Sequence, residues 1–345
     1  MANTKKKKEE KTEDKKLSKK EIIEAKIIKD FGDVISPFKK YSERPEVIIP
    51  SVLPLDILID GGIRQGSSIF LSGKPKSGKT TLALHMAAQA QKIGMPVYYY
   101  KAEGRLHKSL VRSIEDFDEN NLEIIESTES SILSAEKYLN ILIDLLYGVK
   151  QSFHIVDSLS MMIPQSELDG GMEDSVMMKQ GLLFAKFFRK TAPIINPTGS
   201  IVVFIAQERA KQKIGHGGST ETASGNAVKF QNDLHLSCAM KERYVDSNGM
   251  QYGHKMIARI EKISWSAGFG NSADIPIRYG SGVDSYKAAI ETAIQFGLVV
   301  QKGAWYSYND KSIAQGEENL SIYFKENKDV YNELVGNIRT MMFND

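Results

Sequence analysis

Residues 73–80 have the composition and spacing of a loop that binds phosphate groups. The segment GKPKSGKT matches the pattern G-x-x-x-x-G-K-[ST] and lies between a strand-like run, SSIFLS, and a helix-like run, TTLALHMAAQAQ. Glycines let backbone N–H groups surround the phosphates, while Lys79 reaches the β- and γ-phosphates and the Thr80 hydroxyl binds magnesium. We therefore expect ATP and Mg²⁺ as cofactors. The residues predicted to bind the nucleotide are Gly73, Lys74, Pro75, Lys76, Ser77, Gly78, Lys79, Thr80 and Thr81.

Three polar residues follow other apolar runs of strand length. Asp157 ends FHIVD, Glu103 follows VYYYKA, and Gln207 follows SIVVFIA. The carboxyl ends of parallel strands share one edge of a sheet, where such folds bind ligands. Asp157 is expected to assist in holding magnesium, Glu103 to orient or deprotonate the attacking water, and Gln207 to contact the γ-phosphate. Without further information, Glu103 is equally compatible with an ordinary loop carboxylate.

Two glycine-containing segments follow these strands. Residues 207–230 carry several cations among glycines and small polar residues, a composition suited to a nucleic-acid backbone; the alternative is a solvated lid. The cations are Arg209, Lys211, Lys213 and Lys229. Residues 164–178 contain Met177, whose side chain suits a wedge between bases or, alternatively, a helix core.

The whole chain is typical of a globular protein in a reducing compartment. Of its 345 residues, 41% are hydrophobic and 26% charged, which does not favour a disordered chain, and no apolar run approaches membrane-spanning length. One cysteine excludes an intrachain disulfide. We expect a cytoplasmic protein with no membrane partner.

The pattern along the chain predicts four parts. Residues 1–16 are lysine-rich and expected to be a disordered arm; a solubilising tail, a DNA-attracting arm and an expression artefact stay open. Residues 17–49 contain an amphipathic helix with Ile23 and Ile27 on its apolar face. Residues 50–282 alternate short apolar runs with helical stretches, which indicates an α/β core with a mostly parallel, twisted sheet. Residues 283–345 suggest a small α+β domain.

From about residue 45 to residue 343 the chain resembles the RecA-type recombinases of bacteria and phages. The similarity lies in LPLDILIDGGI, KAEGRL, IVDSLSMMIPQSELDGGMEDS, FIAQERAKQKIG and SGNAVKF, and GAWYSYNDKSIAQGEENL resembles the C-terminal domain of that family. The resemblance implies a RecA-like ATPase core and a helical filament on single-stranded DNA. Hydrolysis of ATP would depend on DNA, and the activity would be pairing and strand exchange with homologous double-stranded DNA. Single-strand-binding and mediator proteins are candidate partners, and the implied location is the cytoplasm of a bacterial cell or of a phage-infected host.

The resemblance also implies residue roles. Glu103 matches the water-activating glutamate, Asp157 the magnesium-associated aspartate, and Gln207 the glutamine linking the γ-phosphate to DNA. The segments at about 164–178 and 207–230 match the two DNA-binding loops. Positions lining DNA or the adjacent subunit are Met177, Arg189, Arg209, Lys211, Gly225, Asn226 and Lys229, and Phe230 matches an intersubunit contact.

Some positions depart from the family pattern. Lys262 matches one of two lysines that reach the ATP of a neighbouring subunit, but Ile260 stands where the other is found, and Arg259 is a substitute candidate. Leu110 replaces the adenine-stacking tyrosine, which weakens the prediction that the base is adenine. The N-terminal helix, with Ile23 and Ile27, resembles a segment that packs on a neighbouring protomer.

Two alternatives remain from the sequence. A RecA-fold ring motor, such as a replicative helicase, shares the phosphate-binding loop, but the GAWYSY block argues against it. A non-catalytic DNA-binding mediator is opposed by the presence of Lys79, Thr80, Glu103 and Asp157.

Overall fold

A computed structural model describes residues 18–104, 106–171, 177–210, 220–222, 231–266 and 270–343. The chain divides into two compact units, Met1–Glu46 and Val47–Asp345. The predicted arm, residues 1–16, lies outside the described residues.

The first unit contains helices α1 (Lys19–Phe31) and α2 (Phe38–Ser42). A capping box begins α1: the Ser18 hydroxyl accepts from the Glu21 N–H, and the Glu21 carboxylate accepts from the Ser18 N–H. No residue of α1 is buried; Ile23 is 59% exposed and Ile27 is half-buried.

The second unit holds the remaining elements. Its helices are α3 (Leu53–Leu58), α4 (Lys79–Lys92), α5 (Lys108–Arg112), α6 (Ala135–Gly148), α7 (Gln165–Leu168), α8 (Met177–Thr198), α9 (Ser285–Gln295), α10 (Glu317–Glu326) and α11 (Lys328–Phe343). Its strands are β1 (Ile48–Ile49), β2 (Ile63–Arg64), β3 (Ser68–Gly73), β4 (Val97–Lys101), β5 (Leu122–Glu126), β6 (Phe153–Asp157), β7 (Ile201–Ala210), β8 (Thr220–Thr222), β9 (Leu234–Val245), β10 (Gln251–Ile263), β11 (Ser272–Arg278), β12 (Gly282–Val283), β13 (Val299–Lys302), β14 (Trp305–Tyr308) and β15 (Lys311–Gln315).

The central sheet has the strand order β12-β11-β10-β9-β3-β7-β6-β4-β5, and β8 pairs with β7. Every neighbouring pair from β9 to β5 is parallel, whereas β10, β11 and β12 continue the sheet in antiparallel fashion. Strand β3, which leads into the phosphate-binding loop, thus lies inside the sheet between β7 and β9. The predicted α/β fold with a mostly parallel sheet is confirmed.

Both faces of this sheet are covered, which explains why its strands are apolar at successive positions. In β3, Ile69 and Leu71 pack with Leu82 of α4 on one face. Phe70 points to the opposite face and packs in a second cluster with Phe184 of α8. Since side chains alternate along a strand, a sheet with a core on each side needs apolar residues in both phases.

The C-terminal part combines a three-stranded antiparallel sheet, β13-β14-β15, with α9, α10 and α11. Tyr306 and Tyr308 of the GAWYSY block are buried there among Leu320, Phe324 and Leu334. The sequence block that distinguishes this part therefore supplies its core.

Asp56 of α3 is fully buried and forms an ion pair with Arg339 of α11. Its other carboxylate oxygen accepts from the Ser51 N–H at 2.7 Å. Burial raises the pKa of Asp56, while the Arg339 guanidinium and the Ser51 N–H oppose that rise. The ion pair therefore connects α3 to α11, and the Asp56 carboxylate in it has little access to water.

Replacing Arg339 with Met should destabilise the protein by about 3–5 kcal/mol, because it leaves a buried carboxylate without its cation. Urea unfolding followed by circular dichroism measures this loss. The double variant Asp56→Asn/Arg339→Met should recover most of the stability, since the asparagine side chain keeps an acceptor for Ser51 without a charge. A single variant as stable as the unmodified protein would contradict the role given to the pair.

Candidate nucleotide-binding site

The loop between β3 and α4 depends on glycines at two positions. Gly78, which precedes α4, has φ 96°, and Gly73 has φ 148°; both lie in the range that favours glycine. A Cβ on Gly73 would come within 2.0 Å of the Cys238 carbonyl oxygen on the neighbouring strand β9. The start of the loop therefore packs directly against the backbone of β9.

Lys79 is the first residue of α4, and its side chain folds back over this loop. It is 6% exposed, and its ammonium donates to the carbonyl oxygens of Gly73 at 3.0 Å and Lys74 at 2.8 Å. Burial lowers the pKa of Lys79, and the surrounding negative groups, among them Asp157 and Glu103, oppose this. The cation is thus held at the position from which it can donate to a bound phosphate.

Asp157, at the end of β6, accepts two hydroxyl hydrogen bonds on the same carboxylate oxygen. Thr80 Oγ1 and the Tyr99 hydroxyl each lie 2.7 Å from Asp157 Oδ2. Burial raises the pKa of Asp157, and these two hydrogen bonds oppose the rise. The two predicted magnesium-binding residues, Thr80 and Asp157, are therefore adjacent.

The donor set fits magnesium rather than a cation held by protein ligands alone. Within the described ranges, no cluster of three or more His, Cys, Asp or Glu side chains is suited to a metal. One hydroxyl and one carboxylate, supplemented by phosphate and water oxygens, are ligands that Mg²⁺ accepts.

Glu103 lies just beyond β4 and contacts Gln207 of β7 and Ser158, which follows β6. Its carboxylate accepts from Ser158 Oγ at 2.7 Å and from the side-chain amide of Gln207. The Gln207 N–H in turn donates to Ser160 Oγ at 3.0 Å. The predicted hydrolytic glutamate and the predicted γ-phosphate sensor are therefore in direct contact.

These residues surround one open cavity of about 370 Å³. It is lined by Pro75, Lys76, Ser77, Gly78, Lys79, Thr80, Thr81, Tyr99, Glu103, Gly104, Leu106, His107, Leu110, Asp157, Ile205 and Gln207. The volume is in the range of small-molecule sites. Leu110 contributes an apolar side chain where the family pattern has an aromatic ring.

Several contacts were not anticipated from the sequence. Ser158 follows Asp157 directly and Ser160 lies two positions further on, but nothing in their spacing indicates which groups they bind. Alternation in VYYYK places Tyr99 on the same face of β4 as Val97 and Lys101, opposite to Tyr98 and Tyr100, but it does not indicate a contact with Asp157.

Some of the other predicted residues belong to described elements, and the rest fall outside the described residues. Lys262 is in β10, where its ammonium donates to the Asn232 carbonyl at 2.5 Å, and it does not line the cavity of its own chain. Arg189 is exposed on α8, Met177 begins α8, and Arg209 is in β7. The positions that fall outside the described residues are Lys211, Lys213, Gly225, Asn226, Lys229 and Phe230.

The two predicted DNA loops overlap regular structure. Helix α8 already begins at Met177, within the predicted 164–178 loop, and α7 lies inside it as well. Strand β7 continues through Gln207 to Ala210 because β8 pairs with it in antiparallel register, Glu208 facing Thr222. Through this pairing the backbone N–H and C=O groups of β7 form hydrogen bonds within the protein. In an irregular loop the same groups would have to bind water.

A strand, glycine loop and helix with carboxylates at neighbouring strand ends define a P-loop nucleotide-binding protein.

The chain matches the model of the RecA N-terminal domain over residues 19–284 and that of the RecA C-terminal domain over residues 288–342. It is 33% identical over 315 residues to Protein RecA of Rickettsia bellii (strain RML369-C), covering 90% of this chain and 89% of the relative. It is 32% identical over 310 residues to Protein RecA of Phytoplasma mali (strain AT), covering 89% of both chains. Protein RecA of Rippkaea orientalis is 30% identical over 296 residues, covering 86% of this chain and 83% of the relative.

The chain therefore belongs to the RecA family and is a RecA-type recombinase. The resemblance seen in the sequence motifs is confirmed, and the ring-motor alternative is not favoured. In the part of the chain that the structure describes, no helix is both long and apolar enough to span a membrane.

Proposed function

We propose that this protein is a DNA-dependent ATPase that forms a helical filament on single-stranded DNA and promotes homologous pairing and strand exchange. Membership of the RecA family supports DNA binding and filament formation. The observation that carries the enzymatic part is the meeting of Lys79, Thr80, Asp157, Glu103 and Gln207 at one cavity. The proposed place of action is the cytoplasm of a bacterial cell or a phage-infected host, where the DNA substrates are.

Each residue of the cavity has a distinct task in the proposed reaction. Backbone N–H groups of residues 73–80 hold the phosphates, and Lys79 donates to the terminal ones. Thr80 and Asp157 would hold Mg²⁺, which offsets negative charge on the phosphates when it is bound. Glu103 accepts a proton from the attacking water, and its contact with Ser158 fixes the orientation of its carboxylate.

Gln207 connects this reaction to DNA. Its side chain contacts Glu103, while its backbone belongs to β7, the strand that leads into the 207–230 segment. A hydrogen bond from Gln207 to the γ-phosphate would replace its contact with Glu103 and change the start of that segment. Loss of the γ-phosphate would reverse the change, which is a common form of nucleotide-dependent switching. The proposed DNA contacts are Met177, Arg189, Arg209, Lys211, Lys213, Gly225, Asn226 and Lys229.

Filament formation is proposed to use two surfaces. In the first unit, Ile23 is mostly exposed and Ile27 only half-buried, so α1 retains apolar surface that an adjacent protomer can cover. Phe230 and Lys262 are proposed to reach the adjacent protomer, and Lys262 to donate to its ATP.

Replacing Lys262 with Ala should lower DNA-stimulated phosphate release by about 100-fold, because a charged donor at the transition state is lost. Mixing this variant with a Glu103→Gln variant should partly restore release, since Glu103→Gln protomers still supply Lys262 to their neighbours. Lys241→Ala, which removes an exposed cation of β9, is the matched control. An unchanged rate, or a mixture no faster than its parts, would reject donation between subunits.

The proposed function is tested by strand exchange between circular single-stranded DNA and homologous linear duplex DNA. We expect joint molecules with ATP and Mg²⁺ and none with heterologous duplex. Electron microscopy with single-stranded DNA and a slowly hydrolysed ATP analogue should show helical filaments. Closed rings, or filaments that produce no joint molecules, would overturn the proposal.

A further inference from the structure

A second polar cluster joins the adjacent strands β7, β3 and β9 near the phosphate-binding loop. Ser72 of β3 immediately precedes Gly73, Glu208 of β7 immediately follows Gln207, and His235 lies in β9. Ser72 Oγ is 3.0 Å from Glu208 Oε1 and 3.0 Å from His235 Nε2. The cluster thus joins the strand before the phosphate-binding loop to the strand before the proposed second DNA loop.

The direction of these hydrogen bonds follows from the number of protons. The single hydroxyl proton of Ser72 is donated to Glu208 Oε1. Ser72 must then accept from His235, which places a proton on His235 Nε2. The three side chains therefore form one directed chain, from His235 through Ser72 to Glu208.

The cluster is confined largely to the protein interior. Ser72 is 1% exposed and His235 5% exposed, and the His235 ring packs on Phe70 with centroids 4.7 Å apart. Buried polar groups of this kind are fixed by their partners, because water cannot replace a lost hydrogen bond there. Glu208 also influences Lys79 in the nucleotide loop. Burial lowers the pKa of Lys79, and the Glu208 carboxylate is one of the groups that oppose this lowering.

Consecutive residues of β7 face opposite sides of the sheet, so two neighbouring residues of this strand contact different groups. Gln207 contacts Glu103 in the nucleotide cavity, while Glu208 contacts Ser72. Glu208 is also the residue of β7 that pairs with Thr222 of β8. Ser72 and the pairing with β8 hold Glu208 in place. A movement of Gln207 toward a phosphate would therefore shift the backbone next to a residue whose position is fixed.

We propose that Glu208, Ser72 and His235 form a positioning network that anchors the base of the second DNA loop to the phosphate-binding strand. Through it the bound nucleotide sets the affinity for DNA. The inference rests on the proposed function but adds residues to which no role was assigned by the motifs. These residues do not line the nucleotide cavity, and their proposed role is to determine how strongly the two sites are coupled.

The test compares the affinity for fluorescently labelled single-stranded DNA with a non-hydrolysable ATP analogue and with ADP, measured by anisotropy. The ratio of the two affinities is the coupling and does not require hydrolysis. Glu208→Ala and Ser72→Ala should each reduce this ratio by about 5- to 10-fold, the lower part of the range of coupling between sites. Glu208→Gln keeps an acceptor for Ser72 and should restore most of the ratio. Glu326→Ala removes an exposed carboxylate of α10 and is the control.

A double-mutant cycle separates a network from two local defects. Glu208→Ala/Ser72→Ala should lose no more coupling than either single variant, since each already breaks the same chain. Losses that multiply, or a Glu208→Ala ratio equal to that of Glu326→Ala, would overturn the proposal. Unmodified protein that binds DNA equally with both nucleotides would also reject it. Absence of phosphate release from unmodified protein, with the ratio intact, would reject only the proposed ATPase.

Discussion

Glu103→Gln should abolish almost all ATP hydrolysis while leaving nucleotide and DNA binding in place. We expect phosphate release to fall by about 10²–10⁴-fold, the usual contribution of a positioned general base. The amide keeps the shape of the carboxylate: its oxygen can accept from Gln207 and its NH₂ can donate to Ser158, so both contacts persist. Only the ability to take a proton is lost.

Phosphate release is measured with saturating single-stranded DNA, and binding of a fluorescent ATP analogue is measured on the same samples. Glu326→Gln provides a carboxylate-to-amide control at an exposed position of the C-terminal part. Retention of hydrolysis within about threefold of the unmodified protein would show that Glu103 is not the base. Filaments of the Glu103→Gln protein should also release DNA more slowly, because the ATP-bound state is no longer consumed.

Lys79→Met should weaken ATP binding by about two to three orders of magnitude. Methionine fills a similar volume, so the change removes the charge with little loss of packing. The ammonium donates to the carbonyl oxygens of Gly73 and Lys74, in the loop that is proposed to hold the phosphates. Loss of a buried charged donor to a phosphate commonly costs about 3–4 kcal/mol, which corresponds to this change in affinity.

Isothermal titration calorimetry with ATP and Mg²⁺ measures the effect, and Lys92→Met, at the end of the same helix, is the matched control. Thermal unfolding without nucleotide should differ little between the two variants, whereas added ATP should stabilise only Lys92→Met. Equal affinity of the two variants for ATP would show that Lys79 does not contribute to ATP binding.

The parts of the site that the sequence predicts are those set by local pattern and by the geometry of parallel sheets. Glu103, Asp157 and Gln207 stand out because each ends or follows an apolar run, and parallel strands bring such ends to one edge. That prediction needs no knowledge of strand order.

The contacts that escaped prediction depend on strand order and register. Tyr99 reaches Asp157 because β4 and β6 are neighbours, with Lys101 opposite Asp157. Ser72 and His235 are separated by 163 positions and meet only because β9 lies next to β3. No period of hydrophobicity encodes such pairings. The extension of β7 beyond Gln207 escaped for a related reason, because it depends on pairing with β8 across a segment whose composition indicates a loop.

The position of Cys238 beneath the phosphate-binding loop has a practical consequence for fluorescence experiments. It is the single cysteine of the chain, it is 1% exposed, and burial raises the pKa of its thiol to about 12. The thiolate that reacts with maleimide dyes is therefore scarce and shielded at neutral pH. A cysteine introduced at an exposed site, such as Lys241 or Glu326, should then be the only one that is labelled. Assembly of the protein on DNA can thus be followed with one dye per protomer, without replacing a residue that supports the nucleotide loop.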